Sequence, residues 1–277
     1  MFFVIPILKF KQSYENKNLV VEQTPKNVIA INENTKKDIT PTNPTSNKVK
    51  IKVLSEQDKK FLATLEKEDL PKDIENMKLA RLDVPFFKQQ YIRSCEEASL
   101  RMVLAFYGIE TDDMEVVKRV GYDPHPLDTV NNIWDDPNKM FVGSIDDANK
   151  NGYGVFAPAI AAGAKAFGVD AESYVGVSAQ FLAQQIYDGH PVIVWGFFAT
   201  PPFVKYSWNT KDGTKIIAYR GEHARVVVGV FGDPSKPVGF LVDDPLTGRE
   251  NEYWSAERLM AHINMFGNLT NQAVVVK

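Results

Sequence analysis

The pattern of apolar and polar positions divides the chain into a first half dominated by helices and a second half dominated by strands. Apolar residues at helical spacing, with polar residues or glycine at the ends, predict helices over 55–70, 95–107, 112–121, 157–168, 178–188 and 255–263. Apolar runs bounded by turn residues predict strands over 191–198, 215–219, 223–231, 239–242 and 273–276. Helices followed by strands with short connections are typical of an α+β fold with an antiparallel sheet.

The helix that begins at residue 95 has the strongest sequence signals. One of its faces carries small or apolar side chains: Cys95, Ala98, Ser99, Met102, Val103 and Phe106. Ser94 and Glu97 are three residues apart, which predicts a capping box at the start of the helix. Gly108 is well placed to end it. Both ends of this helix are therefore predicted.

The N-terminal region has the composition of a tether. Residues 9–52 contain nine lysines and four acidic residues among Asn, Thr and Pro, which leaves too little apolar surface for a core. The apolar run 2–8 is much shorter than the ~20 residues of a membrane helix. We predict a disordered leader or tether over 1–52, a short helical lead-in over 53–80 and one folded domain over 81–277. Such a leader suits attachment to a membrane or cell wall, and the sequence supports an extracytoplasmic and a cytoplasmic location about equally.

Composition and charge narrow the range of functions. The chain has 277 residues, 44% of them hydrophobic, and a formal net charge of −3, so it can form a large core but has no basic field for nucleic acid. Its one cysteine can form neither an internal disulfide nor a Cys-rich metal centre. The histidines and acids show no metal-ligand spacing, and there is no glycine-rich phosphate loop. We therefore predict no metal and no cofactor, and the oligomeric state stays open.

Cys95 is the first candidate for chemistry. The positive end of the helix dipole favours a thiolate in the first turn and lowers the pKa of the thiol, although Glu96 and Glu97 oppose this effect if their carboxylates point inward. Gln89 lies on an extended approach six residues earlier, where its amide and the Cys95 N–H would form an oxyanion hole. Gln90 competes for that role. A lone cysteine on an apolar helix face has the alternative role of packing.

His223 and Asp244 are the candidate partners of this thiol. His223 begins an apolar strand, in GEHARVVVGV, and Asp244 ends the next one, in FLVDDP. Adjacent antiparallel strands can place the two side chains together, so that the carboxylate fixes the tautomer of an imidazole that acts as a base. Asp243 is the competing carboxylate, but strand alternation directs it to the opposite face. The structural alternative for His223 is a hydrogen bond to the backbone.

Five segments, in chain order, resemble the C39-like cysteine peptidase domain of the papain-like superfamily: VPFFKQ, SCEEASLRMVLAFYG, DGHPVIVWG, GEHARVVVGV and FLVDDP. The resemblance spans about 81–268 and is to the stand-alone bacterial type without a transporter. It implies a papain-like fold in which the nucleophile helix packs on an antiparallel sheet. It also implies a peptide or protein substrate, with Cys95 as nucleophile, His223 as general base, Asp244 as its orienter and Gln89 as oxyanion donor. A common family pattern has Cys-Gly-Pro, and this chain departs from it with Cys-Glu-Glu.

Two other functions fit the same residues. One is a different thiol acyl-transfer enzyme, such as a cell-wall amidase or a transglutaminase-like protein. The other is a catalytically inactive module that keeps the fold to bind peptides. The residue order Cys, His, Asp is compatible with all three, and the resemblance favours the peptidase.

Overall fold

The computed structural model describes residues 50–53, 60, 70–198, 204–264 and 272–277. The predicted leader as far as residue 49, and most of the predicted helix over 55–70, lie outside these residues. Within them, no helix combines the length and the apolar character needed to cross a lipid bilayer.

The elements follow the predicted order of helices and strands. The helices are α1 (Cys95–Phe106), α2 (Asp113–Val120), α3 (Ala157–Ala166), α4 (Ala179–Asp188) and α5 (Ala256–Ile263), and Ile74–Asn76 forms a 3₁₀ turn. The strands are β1 (Lys50–Val53), β2 (Lys78–Arg81), β3 (Tyr122–Asp123), β4 (Phe141–Gly143), β5 (Gly152–Gly154), β6 (Ala171–Tyr174), β7 (Val192–Phe197), β8 (Lys205–Asn209), β9 (Lys215–Tyr219), β10 (Glu222–Asp233), β11 (Lys236–Asp244), β12 (Arg249–Ser255) and β13 (Ala273–Val276). The helices predicted between 95 and 263 are confirmed, with ends that differ by two residues or fewer.

An antiparallel sheet of eight described strands organises the domain. Its path runs β1-β2-β10-β7-β13-β6, and β11 and β12 extend it from β10. One edge of β10 pairs first with β7 and then with β2, while the other edge pairs with β11. The long β10 therefore joins the two parts of the sheet. The α+β prediction with an antiparallel sheet is confirmed.

Strand β7 lies at the centre of the core. All six of its residues are buried, so both faces of the strand are covered. This explains its continuous apolar sequence, because a strand with one face in water alternates apolar and polar residues. The Trp195 indole N–H donates to the carbonyl of Val155 at 3.0 Å, which satisfies the one polar group of this buried ring.

The start of α1 differs from the predicted capping box. Ser94 is the N-cap residue, but its hydroxyl makes no capping hydrogen bond. It donates to Asp113 Oδ2 at 2.7 Å and accepts from the Tyr91 N–H at 3.1 Å. Glu97 is fully buried, and its carboxylate oxygens have no hydrogen-bond partner among the described residues. The prediction is wrong because tertiary packing places Asp113, at the start of α2, within reach of the Ser94 hydroxyl.

The boundary between leader and domain also differs from the prediction. Residues 50–53 form β1, which pairs antiparallel with β2 and sets Ile51 opposite Ala80. The alternation of lysine with isoleucine and valine in this short segment is typical of an edge strand. Residues 50–52 therefore belong to the sheet rather than to the leader. The described end of the lead-in consists of the 3₁₀ turn and β2 rather than a helix.

The two adjacent aspartates at the end of β11 make different contacts, as strand alternation predicts. Asp243 Oδ1 accepts the N–H of Asn251 at 2.7 Å, whereas Asp244 contacts His223 and Arg225. Asp243 is buried, and burial raises the pKa of its carboxyl group to about 7. Such a carboxyl group has a higher pKa in the folded protein than in the unfolded chain. Its contribution to stability is complete at pH values below the pKa of the unfolded chain, and it is lost as the pH rises through the pKa of the folded protein.

Asp243→Asn should therefore stabilise the protein more at pH 8 than at pH 5. The unfolded carboxyl group has a pKa of ~3.9, so most of the loss in the wild type falls between about pH 4 and pH 7. We expect the difference in unfolding free energy between variant and wild type to be about 2 kcal/mol larger at pH 8 than at pH 5. Denaturant unfolding at both pH values measures it.

Asp233→Asn is the control, because Asp233 is an exposed carboxylate at the other end of the same pair of strands. The same gain for Asp243→Asn at both pH values would contradict a protonated Asp243 in the folded protein.

Candidate active site

Three of the predicted site residues line one cleft with a volume of about 680 Å³: Cys95, His223 and Gln89. Helix α1 brings Cys95 to the cleft, the beginning of β10 brings His223, and the extended segment before α1 brings Gln89. Asp244 lies behind His223, in contact with its ring. The fold therefore gathers residues that are up to 155 positions apart in the sequence.

Cys95 is the first residue of α1 and is 8% exposed. Its thiol donates to Glu96 Oε2 at 2.9 Å. The backbone N–H of Ala224, the residue that follows His223, lies close enough to the sulfur to lower the thiol pKa. The start of α1 is thus held against the start of β10, which is the contact that a thiol and an imidazole partner require.

His223 and Asp244 form a buried hydrogen-bonded pair. The His223 Nε2 is 2.9 Å from Asp244 Oδ1, and the two side chains are 1% and 2% exposed. The pairing of β10 with β11 sets Val226 opposite Asp243, so Asp244 reaches the side of β10 on which His223 lies. Asp244 Oδ1 also accepts the backbone N–H groups of Leu246 and Thr247, at 2.9 and 3.0 Å.

The charges of this pair decide which ring nitrogen is basic. Burial alone would raise the pKa of Asp244, but the hydrogen bond from His223 and the charges of His223 and Arg225 outweigh it and hold this pKa below its usual range. Asp244 is therefore a carboxylate and can only accept, so the His223 Nε2 carries the hydrogen. The lone pair is left on Nδ1. Burial lowers the pKa of His223, which keeps the resting imidazole neutral.

Glu96 and Glu222 form a carboxyl pair beside the thiol. They share a hydrogen bond, and Glu96 Oε1 accepts the Val155 N–H at 3.0 Å. Burial raises the pKa of both groups, and the rise is larger for Glu222, because Glu96 also accepts from the Cys95 thiol and the Val155 N–H. The pair needs Gly154, whose φ is +124° and where a Cβ atom would lie 2.4 Å from Glu96 Oε1.

This acidic surrounding reverses the predicted effect on the thiol. The helix dipole predicts a lowered pKa for Cys95, whereas burial and the charge of Glu96 raise it well above its usual value. The resting group is thus a thiol that donates to Glu96. Burial removes the solvation of a thiolate, and a full charge at 2.9 Å outweighs the partial charge of a helix end.

Gln89 and Gln90 have different surroundings. The Gln89 amide nitrogen donates to the carbonyls of Tyr91 and Ile92, at 2.8 and 2.9 Å, so its N–H groups are engaged within its own loop. Gln90 is bound to Asp113: its Oε1 accepts the Asp113 N–H at 3.0 Å, and its own N–H donates to the Asp113 carboxylate. Of the two glutamines, Gln89 is the one that lines the cleft.

Sequence reasoning missed Glu222 and Arg225 as members of the site. Glu222 immediately precedes His223, and Arg225 lies two residues after it, on the same side of a strand. The sequence signal that could have identified them is a charged residue on each side of the candidate histidine, at the start of an otherwise apolar strand. Among the residues described here, no three histidine, cysteine or acidic side chains are grouped as ligands for a metal ion.

The comparison with family models decides the relationship. The model of the Peptidase C39-like family matches residues 81–274, which is more than half of the chain. The chain belongs to the Peptidase C39-like family. This match begins at the residue where the sequence predicts the folded domain to begin. The curated proteins contain no match to this C39-like chain.

Solved structures include relatives of this C39-like protein. A protein of Bacillus anthracis assigned to the C39-like peptidases is 26% identical, with a TM-score of 0.58 over 70% of this chain and 94% of the other. The peptidase domain of Streptococcus ComA, a bi-functional ABC transporter of a quorum-sensing pathway, is 17% identical, with a TM-score of 0.39 over 69% and 95%. A double-glycine motif protease of an AMS/PCAT transporter, solved with a leader peptide, is 16% identical, with a TM-score of 0.39 over 71% and 93%.

Glu96→Gln should make Cys95 more reactive. Removal of the carboxylate that accepts from the thiol lowers the thiol pKa and so increases the thiolate fraction at a fixed pH. Since one pKa unit corresponds to a tenfold change in thiolate, we expect alkylation by iodoacetamide at pH 7 to accelerate roughly three- to tenfold. The second-order rate constant of Cys95 labelling measures this effect.

Glu97→Gln is the matched control. Glu97 is the next residue of the same turn, and it is as deeply buried, but its carboxylate makes no hydrogen bond to the sulfur. The rate of Cys95 labelling in Glu97→Gln should stay within about twofold of the wild-type rate. An equal acceleration in both variants would show that loosening of the helix start, and not the charge of Glu96, controls the thiol.

Proposed function

We propose that this protein is a cysteine peptidase that hydrolyses peptide bonds of a peptide or protein substrate through Cys95, His223 and Asp244, with Gln89 as an oxyanion donor. Membership of the C39-like family and the fold support a cysteine peptidase in general. The observation that carries the finer proposal is the buried hydrogen bond between His223 and Asp244 beside a cleft that also holds the one cysteine of the chain.

In the proposed first step the thiol is activated by His223. The Cys95 proton passes to the Nδ1 lone pair of His223, and the resulting thiolate attacks the carbonyl carbon of the scissile bond. The imidazolium that forms is stabilised by the Asp244 carboxylate, which retains its negative charge. Because the resting thiol donates to Glu96, it must turn from Glu96 to His223 before this transfer.

The oxyanion requires donors at the start of α1. The N–H groups of the first helical turn have no partner inside the helix, which leaves the Cys95 N–H available. Gln89 is the proposed second donor, and it would release one of its two carbonyl contacts when substrate enters. Exchange of a loop contact for a charged acceptor is favourable, because a hydrogen bond to an oxyanion is stronger than one to a neutral carbonyl.

The remaining steps complete hydrolysis. The imidazolium of His223 donates its proton to the leaving amine as the carbon–nitrogen bond breaks, which leaves an acyl thioester on Cys95. His223 then accepts a proton from a water molecule that attacks the thioester. The acid product leaves, and the thiol is restored with its proton. Each proton is thus carried by the same ring nitrogen.

Variants of three of the proposed residues test the peptidase proposal. Mass spectrometry of peptide mixtures should reveal cleavage products with the wild type and none with Cys95→Ser. His223→Ala should lower kcat/KM by at least about 10³-fold. Gln89→Ala should lower kcat by about 10²-fold with little change in KM, since an oxyanion donor acts mainly in the transition state.

The products separate the alternatives. Cleaved muropeptides without cleaved proteins would indicate a cell-wall amidase, and an acyl group transferred to an added amine would indicate a transglutaminase-like enzyme. Peptide binding without turnover, with Cys95 labelled no faster in the wild type than in His223→Ala, would overturn the proposal in favour of a binding module.

A further inference from the structure

We propose that Arg225 is a positioning residue of this site, which fixes Asp244 against His223 and sets the proton affinity of the imidazole. The inference rests on the proposed function, in which His223 is the base. Arg225 itself is not placed to touch substrate, because it is 5% exposed and lies behind the histidine.

Three contacts hold the Arg225 guanidinium in one position. Its Nε donates to Asp244 Oδ2 at 2.8 Å, and its Nη1 donates to the carbonyl of Phe197 at 3.1 Å. Its carbon Cζ lies 4.9 Å from the centre of the Trp254 ring. These partners come from β11, β7 and β12, so the guanidinium connects three strands around the candidate base.

The two oxygens of Asp244 have separate partners. Oδ1 faces His223, and Oδ2 faces Arg225. With Oδ2 held by a charged donor, the carboxylate cannot rotate about its last bond without breaking that ion pair. Asp244 therefore presents Oδ1 to the imidazole in one orientation, which holds the ring in the orientation that directs Nδ1 away from Asp244.

The charge of Arg225 has a second effect. A buried carboxylate beside a neutral imidazole would lack a compensating charge, and the Arg225 cation supplies it. Asp244 is then already neutralised when His223 is uncharged, so an added proton on the ring faces the repulsion of a nearby cation. The same cation lies close enough to Cys95 to favour a thiolate there.

Other ionisable groups act on the same site. Glu96 and Glu222 lie beside the sulfur, and Glu252 of β12 and His262 of α5 interact with the Arg225 charge. Asp244 is the residue that contacts both Arg225 and His223. Arg225 can therefore alter the His223 pKa in two ways, through its contact with Asp244 or by a direct charge–charge interaction with the ring.

The test is a titration of His223 in the full chain. In a Cys95→Ser background, the ring carbon signal of His223 is followed by NMR as a function of pH and is assigned by its loss in His223→Ala. Arg225→Gln keeps a hydrogen-bond donor but removes the charge. We expect the His223 pKa to rise by at least about 0.5 unit, because the cation that repels the imidazolium is gone.

Arg225→Lys separates charge from geometry. Lysine retains the charge but lacks the planar fork that contacts Asp244 and Phe197 together. With Cys95 intact, we expect kcat to fall at least about tenfold in Arg225→Gln and by a smaller factor in Arg225→Lys, with KM changed less than twofold. In Arg225→Lys the His223 pKa should move less than in Arg225→Gln.

Arg258→Gln is the matched control. Arg258 also packs its guanidinium over the Trp254 ring, at 4.2 Å, but its ion pair is with Glu252 instead of Asp244. It should leave both the His223 pKa and kcat unchanged. Equal effects of Arg225→Gln and Arg258→Gln would assign them to packing of Trp254 and overturn the inference.

The outcomes distinguish this inference from the proposed function. Hydrolysis by the wild type, with His223 titration and kcat unchanged in Arg225→Gln, would refute the role of Arg225 alone. A shifted His223 pKa in a protein that hydrolyses no peptide would refute the peptidase while supporting the control of His223 by Arg225. If Arg225→Gln fails to fold, the kcat of Arg225→Lys decides, because lysine lacks the planar fork, and an unchanged kcat there would refute the inference.

Discussion

The site depends on the stabilisation of one buried negative charge, the carboxylate of Asp244. A carboxylate removed from water is strongly destabilised unless donors and a compensating charge surround it. Asp244 receives four donors: the His223 ring, the Arg225 guanidinium and the backbone N–H groups of Leu246 and Thr247. Meeting this requirement fixes the pairing of β10 with β11 and the turn that follows β11, and so it also fixes where the imidazole lies.

Asp244 is surrounded by donors and a cation that stabilise its charge, whereas the Cys95 thiol has carboxyl groups beside it that disfavour a thiolate. The Arg225 cation favours a thiolate, whereas Glu96 and Glu222, beside the sulfur, oppose it. Burial and the Glu96 charge dominate in the resting protein, so the proton stays on sulfur. The ion pair of thiolate and imidazolium that the proposed chemistry requires is therefore a state to be reached on substrate binding, when the thiol turns away from Glu96.

The C39-like family match describes the whole domain, whereas the carboxyl pair and the Arg225 contact are local features of its side-chain packing. The family match covers residues 81–274, and the structure from Bacillus anthracis covers 70% of the chain. The carboxyl pair beside the sulfur and the Arg225 contact with Asp244 were found in the packing of this chain. In the proposed mechanism they modify the reactivity of this framework, because nearby charges alter the pKa of a nucleophile without a change of fold.

Much of the fold could be predicted from the sequence, because helices and strands follow from local periodicity. The spacing of apolar residues predicted α1 and β10 nearly to the residue, and strand alternation separated Asp243 from Asp244. A charge pattern with lysine at alternate positions was not enough to reveal β1, because an edge strand is defined by its partner. The capping-box prediction was wrong for a similar reason, because the Ser94 hydroxyl donates to Asp113 of another helix.

The sequence by itself determined which residue types are available: one thiol at a helix start, an imidazole and a carboxylate at the ends of two apolar strands. Tertiary structure alone decided their protonation. The direction of the Cys95 pKa depends on where Glu96 points and on how much water reaches the sulfur, and neither follows from position in the chain. Electrostatic energies depend on distance and burial in three dimensions, so a lowered pKa expected from the helix became a raised one in the folded protein.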